Sequence, residues 1–370
     1  MTTTDRRNWL KTVALGGGFT LLGGLPALAN PIERHAYLAE GPVKLNSNEN
    51  PYGPSNSVRE VIRENFGLGC RYPFQYIGGL VRDIARKEEV PEACIVITGG
   101  STEGLHATGL VYGLGGGEIV AADPTFQALL SYGEHFGAYV HRVALDDSLT
   151  HDLEAMERRI TSKTRLVFLC NPNNPTGTLL EHGKLRDFCV SVANRCVVFS
   201  DEAYYDYITE PDYPSMVELV KENHNVIVSK TFSKVYGLAG MRIGYLIARP
   251  DIARRLRESL MANTNTLAIL AARQALKDTD FYKFSLAENE KCKEWIYREL
   301  DQMGLPYLRS HTNFVFFKSG VSIQELIPKM AAENVQIGRP FPPLLDWARI
   351  STGTFDEVQA FTRTLKKVMA

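Results

Sequence analysis

The sequence predicts an α/β fold, with a mostly parallel sheet covered by helices in a large domain and a smaller α+β domain beside it. Two observations predict it. From about residue 75, short β-branched runs alternate with helix-length amphipathic stretches, as in a sheet buried on both faces. Beyond about residue 250 the pattern turns helix-rich, with two further strand-like runs.

The elements follow in order. "IGGLVRDIARKEE" has helical periodicity and precedes the strand "CIVIT"; "STEGLHATGLVYG" is helical again, and "EIVAA" is a strand. "PTFQALLSYGEHFG" reads as the next helix, and the strands "RLVFLC", "CVVFS" and "NVIVS" follow, with helical stretches such as "LRDFCVSVANR" between them. "SLAENEKCKEWIYRELDQM" is a long amphipathic helix, followed by the strands "FVFF" and "WARIS". The expected domains are a large one over 71–260 and a small one over 261–370, which the segment 30–70 joins.

The 370 residues suffice for such a two-lobed unit. With 44% hydrophobic and 22% charged residues the composition is that of a soluble globular protein, and a net charge of −1 argues against nucleic acid or an acidic membrane as partner. Residues 1–29 stand apart. "DRRNWLKTVALGGGFTLLGGLPALAN" carries Arg6-Arg7, a glycine-rich apolar run and an Ala27-Leu28-Ala29 cleavage pattern, and it resembles a twin-arginine signal peptide. The expectation is a periplasmic or otherwise exported protein starting near Asn30, with no membrane span after signal removal. An uncleaved anchor is the alternative, and a cytoplasmic protein follows if the signal is misread. The six cysteines include no C-x-x-C pair; buried free thiols are expected, with no metal, and a disulfide from Cys189 or Cys292 stays open.

Ligands of open parallel sheets bind beyond the carboxyl ends of the strands, so the residues after each strand carry the chemistry. "CIVIT" is followed by Gly99-Gly100-Ser101-Thr102, which at a helix N-terminus offers backbone N–H groups and hydroxyls to a phosphate. "EIVAA" leads to Phe126, "RLVFLC" to Asn174 in "NPNNPTG", and "CVVFS" to Asp201 and Tyr204 in "DEAY". "NVIVS" leads to Thr231, Lys234 and Arg242 in "TFSKVYGLAGMR", where Lys234 sits among Ser233, Gly237, Ala239 and Gly240. Small neighbours let a ligand approach closely, and a lysine in such a pocket can lose its proton and act as a nucleophile. Arg242 and Thr231 complete a phosphate cup, Asp201 can pair with a protonated ring nitrogen, and Phe126 can cover a flat ring. Asn174 and Tyr204 can hydrogen-bond a phenolate oxygen. Each has a plain alternative, namely an N-cap for Ser101 or Asp201, a turn for "NNPTG", or core packing for Phe126. Taken together, the groups describe a site for pyridoxal 5′-phosphate.

The ordered set "LNSNENPYGP", "RYP", "GGSTEG", "DPTF", "NPNNPTG", "DEAY", "SKxxxLAGMRIGY" and "RISTGT" covers residues 42–369 and resembles fold-type I aminotransferases of classes I and II, most closely histidinol-phosphate aminotransferases. The resemblance implies the fold-type I transferase fold, pyridoxal 5′-phosphate as cofactor, and a homodimer. It makes Lys234 the Schiff-base lysine, Asp201 the partner of the ring nitrogen, Asn174 and Tyr204 the holders of the ring oxygen, and Phe126 the ring's stacking partner. It assigns phosphate binding to Gly100, Ser101, Thr102, Thr231 and Arg242, joined by Tyr72 across the dimer interface. Arg349 is implied to grip a substrate carboxylate, with Asn174 beside it. Arg339 falls near a family arginine that meets a distal phosphate; a surface arginine before a Pro-rich turn is the alternative. Two departures weaken histidinol phosphate as substrate. Phe126 stands where the family usually has tyrosine, and "ERHAYLAEGPVKL" stands where it has a proline-tyrosine element. The expected activity is amino transfer between an amino acid, or a histidinol-phosphate-like amine, and a 2-oxo acid. A lyase, decarboxylase or racemase on the same scaffold is the runner-up, and a non-enzymatic exported binding protein comes third.

Overall fold

A computed structural model describes residues 41–369, and the export signal read at residues 1–29 lies outside them. The strands are β1 (Val43–Lys44), β2 (Ile95–Thr98), β3 (Glu118–Asp123), β4 (Tyr139–Ala144), β5 (Thr164–Cys170), β6 (Val197–Asp201), β7 (Val226–Thr231), β8 (Gly244–Ala248), β9 (Phe314–Lys318), β10 (Val335–Gln336) and β11 (Trp347–Ser351). Seven of them form one sheet in the order β2-β8-β7-β6-β5-β3-β4. The neighbours from β7 to β4 pair in parallel. β8 runs antiparallel to β7 and to β2, so β2 points the same way as β7.

Burial on both faces explains the near-continuous apolar runs. Successive side chains of a strand face opposite sides, so each strand feeds two cores. Val167 and Leu169 of β5 enter one cluster together with Val198 and Val228. Leu166 and Phe168 enter the other together with Phe199 and Ile227. With apolar residues needed at every position, polar groups are displaced to the strand ends. The carboxyl ends of β2, β3, β5, β6 and β7 therefore share one edge, as the sequence suggested.

β4 and β8 were not legible as strands. β4 is an edge strand whose buried residues, Val140 and Val143, are three apart, and His141 and Arg142 between them break any strand pattern in the sequence. β8 is fully buried, but it begins within the glycine-rich motif that holds Lys234 and Arg242. The helix expected to start at Pro124 starts at Ala128, because residues 124–127 leave the strand as a loop. Phe126 lies on that loop.

The other strands form two small sheets, β9 with β11 antiparallel and β1 with β10 parallel. Val315, Phe317 and Ile350 pack there with Ile296 and Leu300 of the helix Thr279–Gln302 and Phe361 of the helix Phe355–Met369. The segment after β1 is fixed to both sheets: the Leu45 N–H donates to the Gln336 carbonyl (2.9 Å), and the Ser351 N–H donates to the Leu45 carbonyl (2.9 Å). All six cysteines are free thiols, five of them buried, which leaves Cys189 and Cys292 without a disulfide. Among the described residues no helix is long and apolar enough to cross a membrane, and no cluster of His, Cys, Asp and Glu is built to hold a metal ion.

Candidate active site

The carboxyl edge of the large sheet opens into a cavity of about 410 Å³ that Lys234, Asp201, Asn174, Tyr204, Phe126, Arg242 and Arg349 line together with Ser101, Thr102 and Arg339. Its depth comes from the sheet. Asp201 ends β6 in register with Cys170 at the end of β5, and both face the cavity.

One wall is built for an anion. The helix Ser101–Gly113 begins there without a side-chain cap, so its first N–H groups stay available. Gly100 precedes it at φ +80°, and a Cβ at that position would lie 2.3 Å from the Arg242 guanidinium. Only glycine permits both the backbone turn and that approach. Arg242 reaches this wall because β8, running against its neighbours, starts at the edge where they end. Its Nη1 donates to the Ala239 carbonyl (2.8 Å). Ser233 lines the same cavity.

The floor holds a buried acid with an open valence. Asp201 is 2% exposed, and its Oδ1 has no hydrogen-bond partner among the described residues. Burial, helped by the neighbouring Glu202 charge, pushes its pKa from 3.8 to about 7, against the pull of the Ala203 N–H and of Lys234. A buried carboxyl left this way is costly unless a cationic donor meets it. A pyridinium N–H is such a donor, so the residues fit pyridoxal 5′-phosphate.

Two lysines follow one another at positions 230 and 234, and the structure separates them. Lys230 Nζ lies 2.8 Å from Glu88, which also accepts from the Tyr245 hydroxyl (2.7 Å), and 3.8 Å from Glu202. Burial works against its charge, yet Glu202 and Glu88 outweigh burial and hold its pKa above the ordinary value. Lys234 points into the cavity, where its Nζ donates to the Asn48 carbonyl (2.8 Å) and stands 5.4 Å from the Tyr204 ring centre. Burial first and Arg349 second lower its pKa from 10.5 to about 8. About a tenth of its amine is thus neutral at pH 7, against well under a thousandth for an ordinary lysine.

The opposite wall is cationic. Arg349, on β11, is buried; its Nη1 donates to Asn174 Oδ1 (2.6 Å) and its Nη2 to the Asn46 carbonyl (2.9 Å), while its Nε has no partner among the described residues. Occupation of Asn174 Oδ1 leaves the Nδ2 end as the donor that faces the ligand. Arg339 lies over the Phe341 ring (4.4 Å), and the Arg349 guanidinium shares that ring (4.9 Å).

Of the residues singled out in the sequence, Gly100, Thr231 and Tyr72 do not line the cavity. Thr231 Oγ1 accepts the Ser233 N–H (3.1 Å), and Tyr72 is 79% exposed and stacked on Phe74. Gly237 is small for a reason other than ligand access: a Cβ on it would sit 2.5 Å from the Gly53 Cα, so two backbones touch there. Sequence reasoning named Ser233 only as a small neighbour of Lys234 and missed Cys170, Glu49 and Asn48 as lining residues. "NSNEN" carried a signal, since a run of Asn and Ser before a fixed turn brings several side-chain amides and hydroxyls together.

A lysine amine, an unpaired buried acid and an anion cup on one sheet edge define a pyridoxal-phosphate enzyme of the α/β type. The family model "Aminotransferase class I and II" matches residues 40–365, and the chain belongs to that family. It is 34% identical over 330 residues to a histidinol-phosphate aminotransferase of Caldicellulosiruptor saccharolyticus, covering 88% of this chain and 92% of the relative. It is 36% identical over 333 residues to one of Moorella thermoacetica, covering 89% and 86%. The crystal structure of histidinol-phosphate aminotransferase from Sinorhizobium meliloti in complex with pyridoxal-5′-phosphate superimposes with a TM-score of 0.83 at 26% identity, covering 89% of this chain and 91% of that one. The protein is a pyridoxal-phosphate-dependent aminotransferase with the fold-type I architecture.

The state of Asp201 gives a pH-dependent test on cofactor-free protein. Its folded pKa lies above the ordinary value, so between pH 3.8 and about 7 the folded chain holds a proton that the unfolded chain has released. Its contribution to stability is full below pH 3.8 and is lost as pH rises through about 7. Asp201→Asn removes that loss. In denaturant titrations the variant is expected to exceed the wild type by about 1–4 kcal/mol at pH 8 and to match it near pH 4. A variant less stable at pH 8 would show that the ionised carboxylate is well accommodated without a ligand.

Proposed function

We propose that the enzyme exchanges an amino group between a 2-oxo acid and an amine that carries an anionic group, either an amino acid or a histidinol-phosphate-like amine, with the cavity residues in the following roles. The observation that carries this reading is the half-buried Lys234 amine, its pKa lowered to about 8, in one cavity with Asp201 and Arg349. Bound pyridoxal phosphate supplies an electron sink for the charge that develops at the substrate Cα. Ser101, Thr102, Ser233 and Arg242 hold its phosphate, with Gly100 and Thr231 shaping the cup behind them. Asp201 takes the ring N–H, which stabilises the carboxylate that is otherwise protonated up to about pH 7. Phe126 covers the ring face, and Asn174 Nδ2 and the Tyr204 hydroxyl donate to the ring oxygen. Once free, Lys234 Nζ takes the proton from the substrate Cα and returns it one position away as the amino group is handed on. Asp201 and Tyr204 are buried and Lys234 is half-buried, which limits the bulk water that could compete for that proton.

Arg349 binds the substrate carboxylate or its equivalent, and its unpaired Nε adds a donor. Among the described residues Arg339 commits one N–H, from Nη1 to the Pro340 carbonyl (3.0 Å), and it lines the same cavity, which favours a second anionic group on the substrate. The histidinol-phosphate aminotransferases to which the chain is similar support a phosphate as that group, whereas Phe126 brings no hydroxyl to it. Arg339→Ala is expected to lower kcat/KM for the best anionic substrate about ten- to a hundredfold and to spare alanine. Steady-state kinetics on a panel of amino donors decides, and equal losses on both substrates assign Arg339 a structural role instead.

Two finer features belong to the same reading. Two chains pair, with Tyr72 reaching the partner's phosphate cup. The exposure of Phe66 (72%), Tyr72 (79%) and Phe74 (69%) along one stretch supports this, and a monomer in sedimentation velocity contradicts it. The chain is exported through Arg6-Arg7, and Ala27-Leu28-Ala29 supports cleavage near Asn30. Replacing both arginines with lysine is expected to leave uncleaved protein in the cytoplasm; wild-type protein that stays there with Met1 intact contradicts export.

A further inference from the structure

Asn48 touches more of the reacting apparatus than its place in a turn-forming stretch suggests. It is 2% exposed and adopts φ +55°, the left-handed region that asparagine enters more readily than most residues. Ser351 fixes it twice, since the Asn48 N–H donates to Ser351 Oγ (2.8 Å) and that hydroxyl donates to Asn48 Oδ1 (2.9 Å). Ser351 follows Arg349 by two residues on β11, so both face the same side of the strand. In this conformation the Asn48 carbonyl accepts from Lys234 Nζ (2.8 Å) and from Asn313 Nδ2 (3.0 Å). Its side-chain Nδ2 donates to the Tyr204 hydroxyl (3.0 Å). One residue thus holds both the amine and the phenol.

The two contacts have different consequences. A carbonyl acceptor gives the free Lys234 ammonium a fixed place and favours its charged form, against the burial that lowers its pKa. The amide donor occupies a lone pair of the Tyr204 oxygen, which leaves the phenol's own proton to point into the cavity. We infer that Asn48 is a positioning residue for amino transfer: its carbonyl docks the Lys234 amine whenever it is free, and its amide turns the Tyr204 hydroxyl toward the ligand. This rests on the roles given above to Lys234 and Tyr204.

Three variants separate the two contacts. Asn48→Asp keeps the shape and replaces the donor with an acceptor, which draws the Tyr204 proton out of the cavity. Asn48→Gly keeps the positive φ, and with it the carbonyl, but loses the amide. Asn48→Ala also loses the amide, and it disfavours the positive φ and so displaces the carbonyl. The readouts are the affinity of cofactor-free protein for pyridoxal phosphate, the pH midpoint of the rate at which it attaches, and thermal melting. All three variants are expected to bind pyridoxal phosphate about tenfold more weakly or worse. Asn48→Gly should keep the wild-type pH midpoint, and Asn48→Ala should lower it by on the order of half a unit. Affinity and midpoint unchanged in all three would overturn the inference, as would losses that only follow the melting temperature. Wild-type attachment at a residue other than Lys234 would instead overturn the underlying roles, whatever the variants do.

Discussion

Burial of ionisable groups without full pairing is the condition on which this site depends. Asp201 and Arg349 are buried and Lys234 is half-buried in one cavity, and desolvation moves each toward its neutral form. Lys234 falls to about 8 and Asp201 rises to about 7, so the two titrate close to one another and close to neutral pH. In water the amine would be almost wholly charged and a poor nucleophile, and the acid would be ionised whether or not a cationic partner met it. In the proposed arrangement Asp201 would take the ring N–H of bound pyridoxal phosphate, and Arg242 with the N-terminus of the helix Ser101–Gly113 would hold its phosphate.

The fold maintains that condition through its packing. Two apolar cores flank the large sheet, so its central strands have no face on which to carry charge, and polar residues collect at the ends. The reversal of β8 brings Arg242 to that edge from the opposite direction. Gly244 at its start lies beside Thr98 and Thr231, and a Cβ there would come within 2.7 Å of the Ser101 nitrogen. Away from the cavity, Lys230 and Lys87 face Glu88 and Glu202, and those carboxylates keep Lys230 charged. The same type of side chain, four residues apart, becomes either a paired cation or a cavity-lining amine of lowered pKa according to its surroundings.

Much of this was legible in the sequence, and what was hidden has identifiable causes. The parallel strands announced themselves because burial on both sides forces unbroken apolar runs such as "LVFLC" and "VIV". The strand-end rule then led directly to Phe126, Asn174, Asp201, Tyr204 and Lys234, all of which line the cavity. β4 was hidden by its edge position, where His141 and Arg142 break any strand pattern, and β8 by its overlap with a motif read for chemistry. Gly237 was misleading, because a backbone packed against a backbone and a backbone packed against a ligand demand the same residue. Asn48 could not be foreseen, since its importance comes from residues 186, 156 and 303 positions away that only the tertiary fold brings to it.

The division of labour between Lys230 and Lys234 is open to one direct measurement. Purified holoenzyme is reduced with borohydride, digested, and mapped by mass spectrometry for the pyridoxyl group. A single label on Lys234, absent from Lys234→Ala and unchanged in Lys230→Met, is the expected result. A label on Lys230, or on any lysine outside the cavity, would contradict the assignment of the reactive amine and with it the roles built around Asp201 and Arg349.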